Sequence, residues 1–301
     1  MPDGAARLAH SIEAHLLFAS IVWLAASLLT SLPRGSATTK YWIWVATSLN
    51  FILPFSAIPV RLWPSPVAWF TPGRVIAAVS DGIPSAPATI ALLIVLWSLG
   101  CVVMMVRLCL RIRDDRGDAQ AAAGERGPAV AGLLRPRIFL PEGLDRLLTR
   151  DELDAVFIHE LRHAKRRDNL IRLIHEMSLC ILWFHPLVWS IGSRLALYRE
   201  LSCDEAVSNQ GLGKHLVSAL AKLVTPGDPL LLQARASSFL THHLARLRDD
   251  PHPRSFRAAN IMLALAFVAI LLAAVAGPVA QAAAAEACAR THAVHVVRGV
   301  R

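Results

Sequence analysis

Charge is scarce in this chain. Only 18% of its 301 residues are Asp, Glu, Lys or Arg, 54% are hydrophobic, and the mean hydropathy is +0.46. A composition this poor in charge excludes an ordinary soluble domain and directs attention to apolar runs of about 20 residues. Cysteine is sparse too. None of the five (Cys101, Cys109, Cys180, Cys203 and Cys288) forms a C-x-x-C pair, which argues against a disulfide framework and against a thiolate zinc site. No internal repeat and no basic-aromatic nucleic-acid motif is present. The formal net charge of +9 is spread over segments beside apolar runs, so no direct nucleic-acid partner is expected.

Four apolar runs cover 16–32, 41–60, 89–106 and 258–279. The first lacks a small-residue cleavage site and is followed directly by more apolar sequence, so it is not read as a removable signal peptide. Tyr41, Trp42 and Trp44, with Trp63, Trp69 and Trp97, read as interfacial aromatics. Of the 31 Lys and Arg residues, 23 fall between Arg107 and Arg257. Arg107, Arg111, Arg113 and Arg116 adjoin the third run, and Arg254 and Arg257 precede the fourth. The excess of basic residues places 107–257 in the cytoplasm and both termini outside. The expected fold class is mainly α: a multi-span membrane protein of about four transmembrane helices in contact with the bilayer, with an inserted α+β cytoplasmic domain. Its parts are a three-span membrane region (1–110), the cytoplasmic domain (111–257), a fourth span (258–280) and a short outer tail (281–301). The run 170–189 carries Arg172, His175 and Glu176 in its first third, and so reads as a helix buried in the domain or lying on the membrane surface.

Within the domain, 114–127 reads as a polar linker. Residues 128–141 give two short apolar runs broken by Gly132 and Pro136, the pattern of a β-hairpin or two edge strands. Thr149-Arg150-Asp151-Glu152 has capping-box form and opens a helix whose buried stripe is Leu153, Val156 and Phe157. A second long helix follows Pro186 and stops near Gly211, and a third covers 214–224.

The first of these helices carries His159-Glu160-Leu161-Arg162-His163, an H-E-x-x-H sequence. Two His four residues apart share a helix face and can both reach a Zn²⁺ ion, while the Glu between them can take a proton from water. Catalytic zinc has three protein ligands and one open position. Asn169 stands where the metzincin pattern requires a third His. Glu200, on the second helix, is the best third ligand. Asp204, four residues on and on the same face, can accept a hydrogen bond from a ligand His. Cys203 reads as a buried packing residue. Arg162, Lys165, Arg166 and Arg167 crowd the motif helix and disfavour a site inside the bilayer.

The run from His159 through Arg166 and Asp168, followed by Glu200-x-x-Cys203-Asp204-Glu205, resembles the BlaR/MecR-type membrane zinc metallopeptidases, antirepressors that regulate drug resistance. Pro136 to Pro141 and Phe184-His185-Pro186-Leu187-Val188-Trp189 are supporting matches, and the resemblance covers about 90–250. It implies a gluzincin-like peptidase domain in a bacterial inner (cytoplasmic) membrane protein. His159, His163 and Glu200 would be the ligands of one Zn²⁺, Glu160 the catalytic base, and Asp204 and Asp168 the carboxylates behind the ligands. Arg137, Ile138, Phe139 and Leu140 would be a strand on which an extended substrate pairs. The implied substrate is a cytoplasmic winged-helix repressor of the BlaI/MecI kind, with self-cleavage beside it. The chain ends about 20 residues past its last run, so the family's penicillin-binding sensor domain is not expected. That leaves room for a separate sensor protein and for a homodimer. Two other readings stay open: a quality-control protease of the HtpX/Ste24 kind, and a non-catalytic signalling protein stabilised by zinc.

Overall fold

A computed structural model describes residues 2–33, 35–53, 87–121, 128–223 and 260–269. The tail 281–301, and Trp63 and Trp69, lie outside these residues, as do parts of the second and fourth apolar runs. By internal contacts the chain divides into two units: Met1–Pro33, Ala46–Trp97 and Ile261–Arg301, and Arg34–Val45 with Ser98–Asn260.

The described residues are mainly helical. In chain order, α1 is Pro2–Ser31, α2 Ala37–Ile52 and α3 Pro87–Ala121. Strands β1 (Ala129–Ala131) and β2 (Arg137–Phe139) are followed by a short α4 (Leu144–Leu147). Then come α5 (Arg150–Arg166), α6 (Asp168–Ile181), α7 (Pro186–Ser208) and α8 (Gly213–Leu223); a short α9 covers Asn260–Ala269. Among the described residues one helical stretch, Ala91–Arg113, is long and apolar enough to cross a membrane. Leu92, Leu96, Leu99 and Val103 are exposed along it, as are Leu93, Val95 and Val102 on its other sides. Exposed apolar side chains all round a helix suit a lipid surroundings. The apolar parts of α1 (His15–Ser31) and α9 are shorter than a full crossing.

Several expectations are modified. Helix α3 runs on to Ala121, through the first half of the expected linker, because extending a formed helix is far cheaper than starting one. Tyr41 and Trp44 are 1% and 0% exposed, so both are packed within the protein rather than displayed as interfacial aromatics; Trp42 and Trp97 are exposed. Helix α6, at 14 residues, spans roughly 21 Å and is too short to cross a hydrocarbon core of about 30 Å.

The hairpin is antiparallel, with Val130 opposite Ile138. Gly132 turns it with φ +100°, a conformation that side chains with a Cβ rarely adopt. Both strands pack on α5, which lies against α7 and α8. Leu144, Leu148, Val156, Val207 and Leu216 form the core that joins α4, α5, α7 and α8. The buried face of α5 is Glu152, Ala155, Val156 and His159. Phe157 is exposed instead; α7 and α8 cover the face one position before it.

The capping box is formed. Thr149 Oγ1 accepts from the Glu152 amide, and Glu152 Oε2 accepts from the Thr149 amide at 2.7 Å. Glu152 also ties α5 to α8, accepting from Ser218 Oγ at 2.6 Å and from Lys222 Nζ at 2.7 Å. Lys222, then Ser218 and the Thr149 amide, hold its carboxyl down to about 2. A depressed carboxylate contributes stability that is complete above its ordinary value near 4.5 and is lost as pH falls towards 2. The thermal midpoint of the full chain in detergent therefore falls across that interval, and Glu152→Gln flattens the decline. A variant with an unchanged acid slope would refute the assignment.

Candidate metal centre

Helix α5 brings His159 and His163 onto one face, one turn apart. Their rings meet edge to face with centroids 4.9 Å apart, and the two Nε2 atoms are 3.2 Å from each other. Glu200, on α7, sends Oε2 to 3.6 Å from His159 Nε2 and 3.5 Å from His163 Nε2. Its other oxygen, Oε1, accepts from Arg199 Nε at 2.9 Å and Nη2 at 2.8 Å. Each carboxylate oxygen thus has a separate task.

The outer nitrogens of both rings face carboxylates. His163 Nδ1 lies 2.7 Å from Asp168 Oδ2, and His159 Nδ1 lies 3.1 Å from Asp204 Oδ1. Asp168 reaches this position because Arg167 adopts a left-handed conformation (φ 55°), ending α5 and starting α6 within one residue. Arg166 secures the arrangement. Its Nη2 donates to Asp168 Oδ2 at 2.6 Å, to the Arg199 carbonyl at 3.1 Å and to Cys203 Sγ at 3.1 Å, and its Nη1 donates to Ser202 Oγ.

These contacts allow a test of whether the residues suit a zinc ion. If each Nδ1 carries its proton towards an aspartate, both Nε2 atoms present lone pairs to one another at 3.2 Å, together with a carboxylate oxygen. Such a cluster repels itself unless a proton or a cation lies among its members. Bonds of about 2.0–2.2 Å to a tetrahedral ion would set ligand atoms roughly 3.3–3.6 Å apart, and the observed separations of 3.2, 3.5 and 3.6 Å match. The residues fit. Cys203 Sγ also lies within 4.8 Å of suitable histidine atoms, but it is 3.6 Å from His163 Nδ1. That is the outer side of the ring, where Asp168 already bonds, whereas Glu200 Oε2 lies on the inner side, nearest the two Nε2 atoms.

Glu160 follows His159 on the same helix and is partly buried. Arg137, Ile138 and Phe139 form β2, whose edge character suits the expected substrate strand, and Leu140 lies just past it. Asn169 Nδ2 donates to the Val130 carbonyl at 3.0 Å, fastening the hairpin beside α6. Two participants escaped the sequence reading. Tyr41 hydroxyl donates to Asp168 Oδ1 at 2.9 Å, and Glu205 accepts from the Thr38 amide at 3.1 Å. The available signal for Tyr41 was its rarity, as one of two tyrosines in a hydrophobic chain.

Burial pushes both histidines down, but the carboxylates outweigh it. Asp204 and Glu200 raise His159, and Asp168, Cys203 and Glu200 raise His163, each above the ordinary 6.5. Glu200 is held well below the usual carboxylate range, because contacts with His159, His163 and Arg199 overcome its own desolvation. For raised histidines the stabilisation of the metal-free site is complete below 6.5 and is lost as pH climbs through the raised values. A metal must displace those protons. Zinc uptake between pH 6 and 8 is therefore expected to release protons, with apparent affinity rising about tenfold per pH unit for each proton displaced. Calorimetry in buffers of different ionisation enthalpy counts them; a count of zero would show the assignment wrong.

Comparison with known proteins falls on this same region. Residues 120–219 match the family model of the BlaR1 peptidase M56. Over 82 residues the chain is 38% identical to the regulatory protein BlaR1 of Bacillus licheniformis, covering 27% of this chain and 14% of that protein. Over 80 residues it is 28% identical to the methicillin resistance mecR1 protein of Staphylococcus aureus, again covering 27% of this chain and 14% of the relative. A longer stretch of 133 residues is 32% identical to the protease HtpX homolog of Pyrococcus abyssi, covering 44% of this chain and 43% of that protein. The resemblance to BlaR/MecR-type peptidases, drawn from the motifs, is thus borne out over 120–219, the segment that holds His159, Glu160, His163 and Glu200.

Proposed function

We propose that this chain is a multi-pass bacterial inner-membrane zinc endopeptidase whose domain at 111–257 cleaves a cytoplasmic protein. The observation that carries the reading is the convergence of His159 Nε2, His163 Nε2 and Glu200 Oε2 at 3.2–3.6 Å, within a segment that matches a peptidase family. Three converging donors suit catalysis, since a catalytic zinc would take three protein ligands, whereas structural zinc sites are closed by four.

When bound, zinc supplies Lewis acidity to the scissile carbonyl and makes water acidic enough to react near neutral pH. Asp168 and Asp204 hold the ligand rings by their Nδ1 protons, which leaves Nε2 free to ligate. Arg199 turns Glu200 so that Oε2 alone faces the histidines. The Glu160 carboxylate takes a proton from the attacking water and returns it to the leaving amine nitrogen. Strand β2 and Leu140 pair with the substrate in extended form.

The substrate proposed is a winged-helix repressor of the BlaI/MecI kind, and the chain itself is a second candidate. This would make the protein part of a signalling pathway that regulates antibiotic resistance. The longer alignment with the HtpX homolog supports a second reading, a protease that clears damaged membrane proteins. New protein N-termini in cells making the wild type, compared with cells making Glu160→Gln, separate the two. Glu160-dependent cuts in a single DNA-binding protein support the first reading, and cuts spread over many membrane proteins support the second. Termini independent of Glu160 would exclude both.

A further inference from the structure

We infer that Tyr41, at the start of the second turn of α2, is a positioning residue of the metal centre, acting on His163 through Asp168. The inference rests on the reading of His159, His163 and Glu200 as metal ligands.

Tyr41 is 1% exposed, and a buried phenol needs a partner for its proton. It has one in Asp168 Oδ1 at 2.9 Å. The other oxygen of that carboxylate, Oδ2, accepts from Arg166 at 2.6 Å and faces His163 Nδ1 at 2.7 Å. Two bonds converging on Oδ2 fix one end of the carboxylate, and the Tyr41 hydroxyl fixes the other. The plane of the group, and hence the line along which it meets His163, depends on all three. The Tyr41 ring also carries the Arg166 guanidinium, with Cζ 4.5 Å from its centroid. Tyr41 therefore touches both Asp168 and the arginine that helps hold it.

The position of the hydroxyl is set by how α2 begins. Ser36 Oγ accepts from the Thr39 amide at 3.1 Å, a helix N-cap. Glu205 accepts from the Thr38 amide at 3.1 Å and the Thr38 hydroxyl at 3.3 Å, placing a negative charge at the positive end of the helix. Glu205 follows Asp204, the partner of His159, on α7. The start of α2 is thus fastened to residues behind both histidines, and a displacement of that turn moves the carboxylate behind His163. Such a device would let an event elsewhere on α2 alter metal affinity without touching a ligand.

Tyr41→Phe is a clean probe, since it keeps the ring over Arg166 and deletes only the hydroxyl. The full chain in detergent is stripped of metal and titrated with Co²⁺, following the visible d–d absorption. Tyr41→Phe is expected to weaken Co²⁺ binding about tenfold, the lower end of the loss typical of partners behind a ligand, and to shift the d–d bands. Asp168→Asn is expected to weaken it at least as much, and the double variant to be no weaker than Asp168→Asn alone, because both changes act on one linkage. A Tyr41→Phe protein with wild-type affinity and spectrum would overturn the inference, as would losses that simply add in the double variant. His163→Ala is the control for the underlying site. If it keeps the wild-type spectrum, the ligand reading fails and the inference falls with it; if it loses the bands while Tyr41→Phe is unchanged, only the inference fails.

Discussion

Glu160→Gln leaves the zinc content of the full chain unchanged and lowers peptide-bond cleavage by about 10²–10⁴-fold, the usual contribution of a positioned general base. The expectation follows from where Glu160 stands. It is next to His159 on α5, while the three converging donors are His159, His163 and Glu200. Gln matches the size and polarity of Glu but cannot accept a proton at neutral pH. The metal should stay bound in the same geometry while the proton transfer fails. Loss of zinc from Glu160→Gln would instead place Glu160 among the ligands. Undiminished cleavage would remove it from the reaction.

Glu200→Ala should weaken zinc binding by more than about 100-fold, beyond the 10–100-fold typical of removing a partner behind a ligand. It deletes one of three donors and leaves His159 and His163 facing each other at 3.2 Å. It also strips Arg199, whose Nε and Nη2 both bond Glu200 Oε1, so a half-buried cation loses its ion-pair partner as well. Cys203→Ala is the necessary contrast. The thiol is near the histidines but on the Nδ1 side of His163, where it accepts from Arg166. Its removal should change zinc affinity by no more than a few-fold, with a modest loss of stability from a small buried cavity. The opposite ranking, with Cys203→Ala losing zinc and Glu200→Ala keeping it, would replace the third ligand. Zinc content after dialysis against a competing chelator measures both variants.

Much of this site could be read from residue order, because it is built from helices. In a helix, spacing converts directly into facing direction, so His159 and His163 had to share a face, as did Glu200 and Asp204. The Thr149 to Glu152 capping box was equally local, and so were the proline that opens α7 and the glycine after it. The hairpin at 129–139 followed from two short runs and a glycine. What could not be read was long-range. Tyr41 is 127 residues from Asp168, and an aromatic at the edge of an apolar run has the same local signature whether it meets lipid or a carboxylate. Phe157 was misplaced because periodicity gives the width of an apolar face but not which edge the partner helices cover. The extension of α3 to Ala121 was hidden because Gly117 and the run of charges beside it read as a break. A helix already formed by the apolar residues before them carries through such residues at small cost.

Glu152 and Asp168 show a related limit. Each lies in a polar stretch and could be taken for a solvated carboxylate, yet each is buried and holds several donors. Burial of that kind is tolerated only when every charge is paired, and the partners of both lie on more than one element.

Zinc K-edge X-ray absorption of the zinc-loaded full chain tests the central claim most directly. Two imidazole nitrogens and carboxylate or water oxygens at about 2.0–2.2 Å, with no sulfur, are the expected first neighbours. A sulfur at about 2.3 Å would bring Cys203 into the coordination sphere and contradict the site of His159, His163 and Glu200.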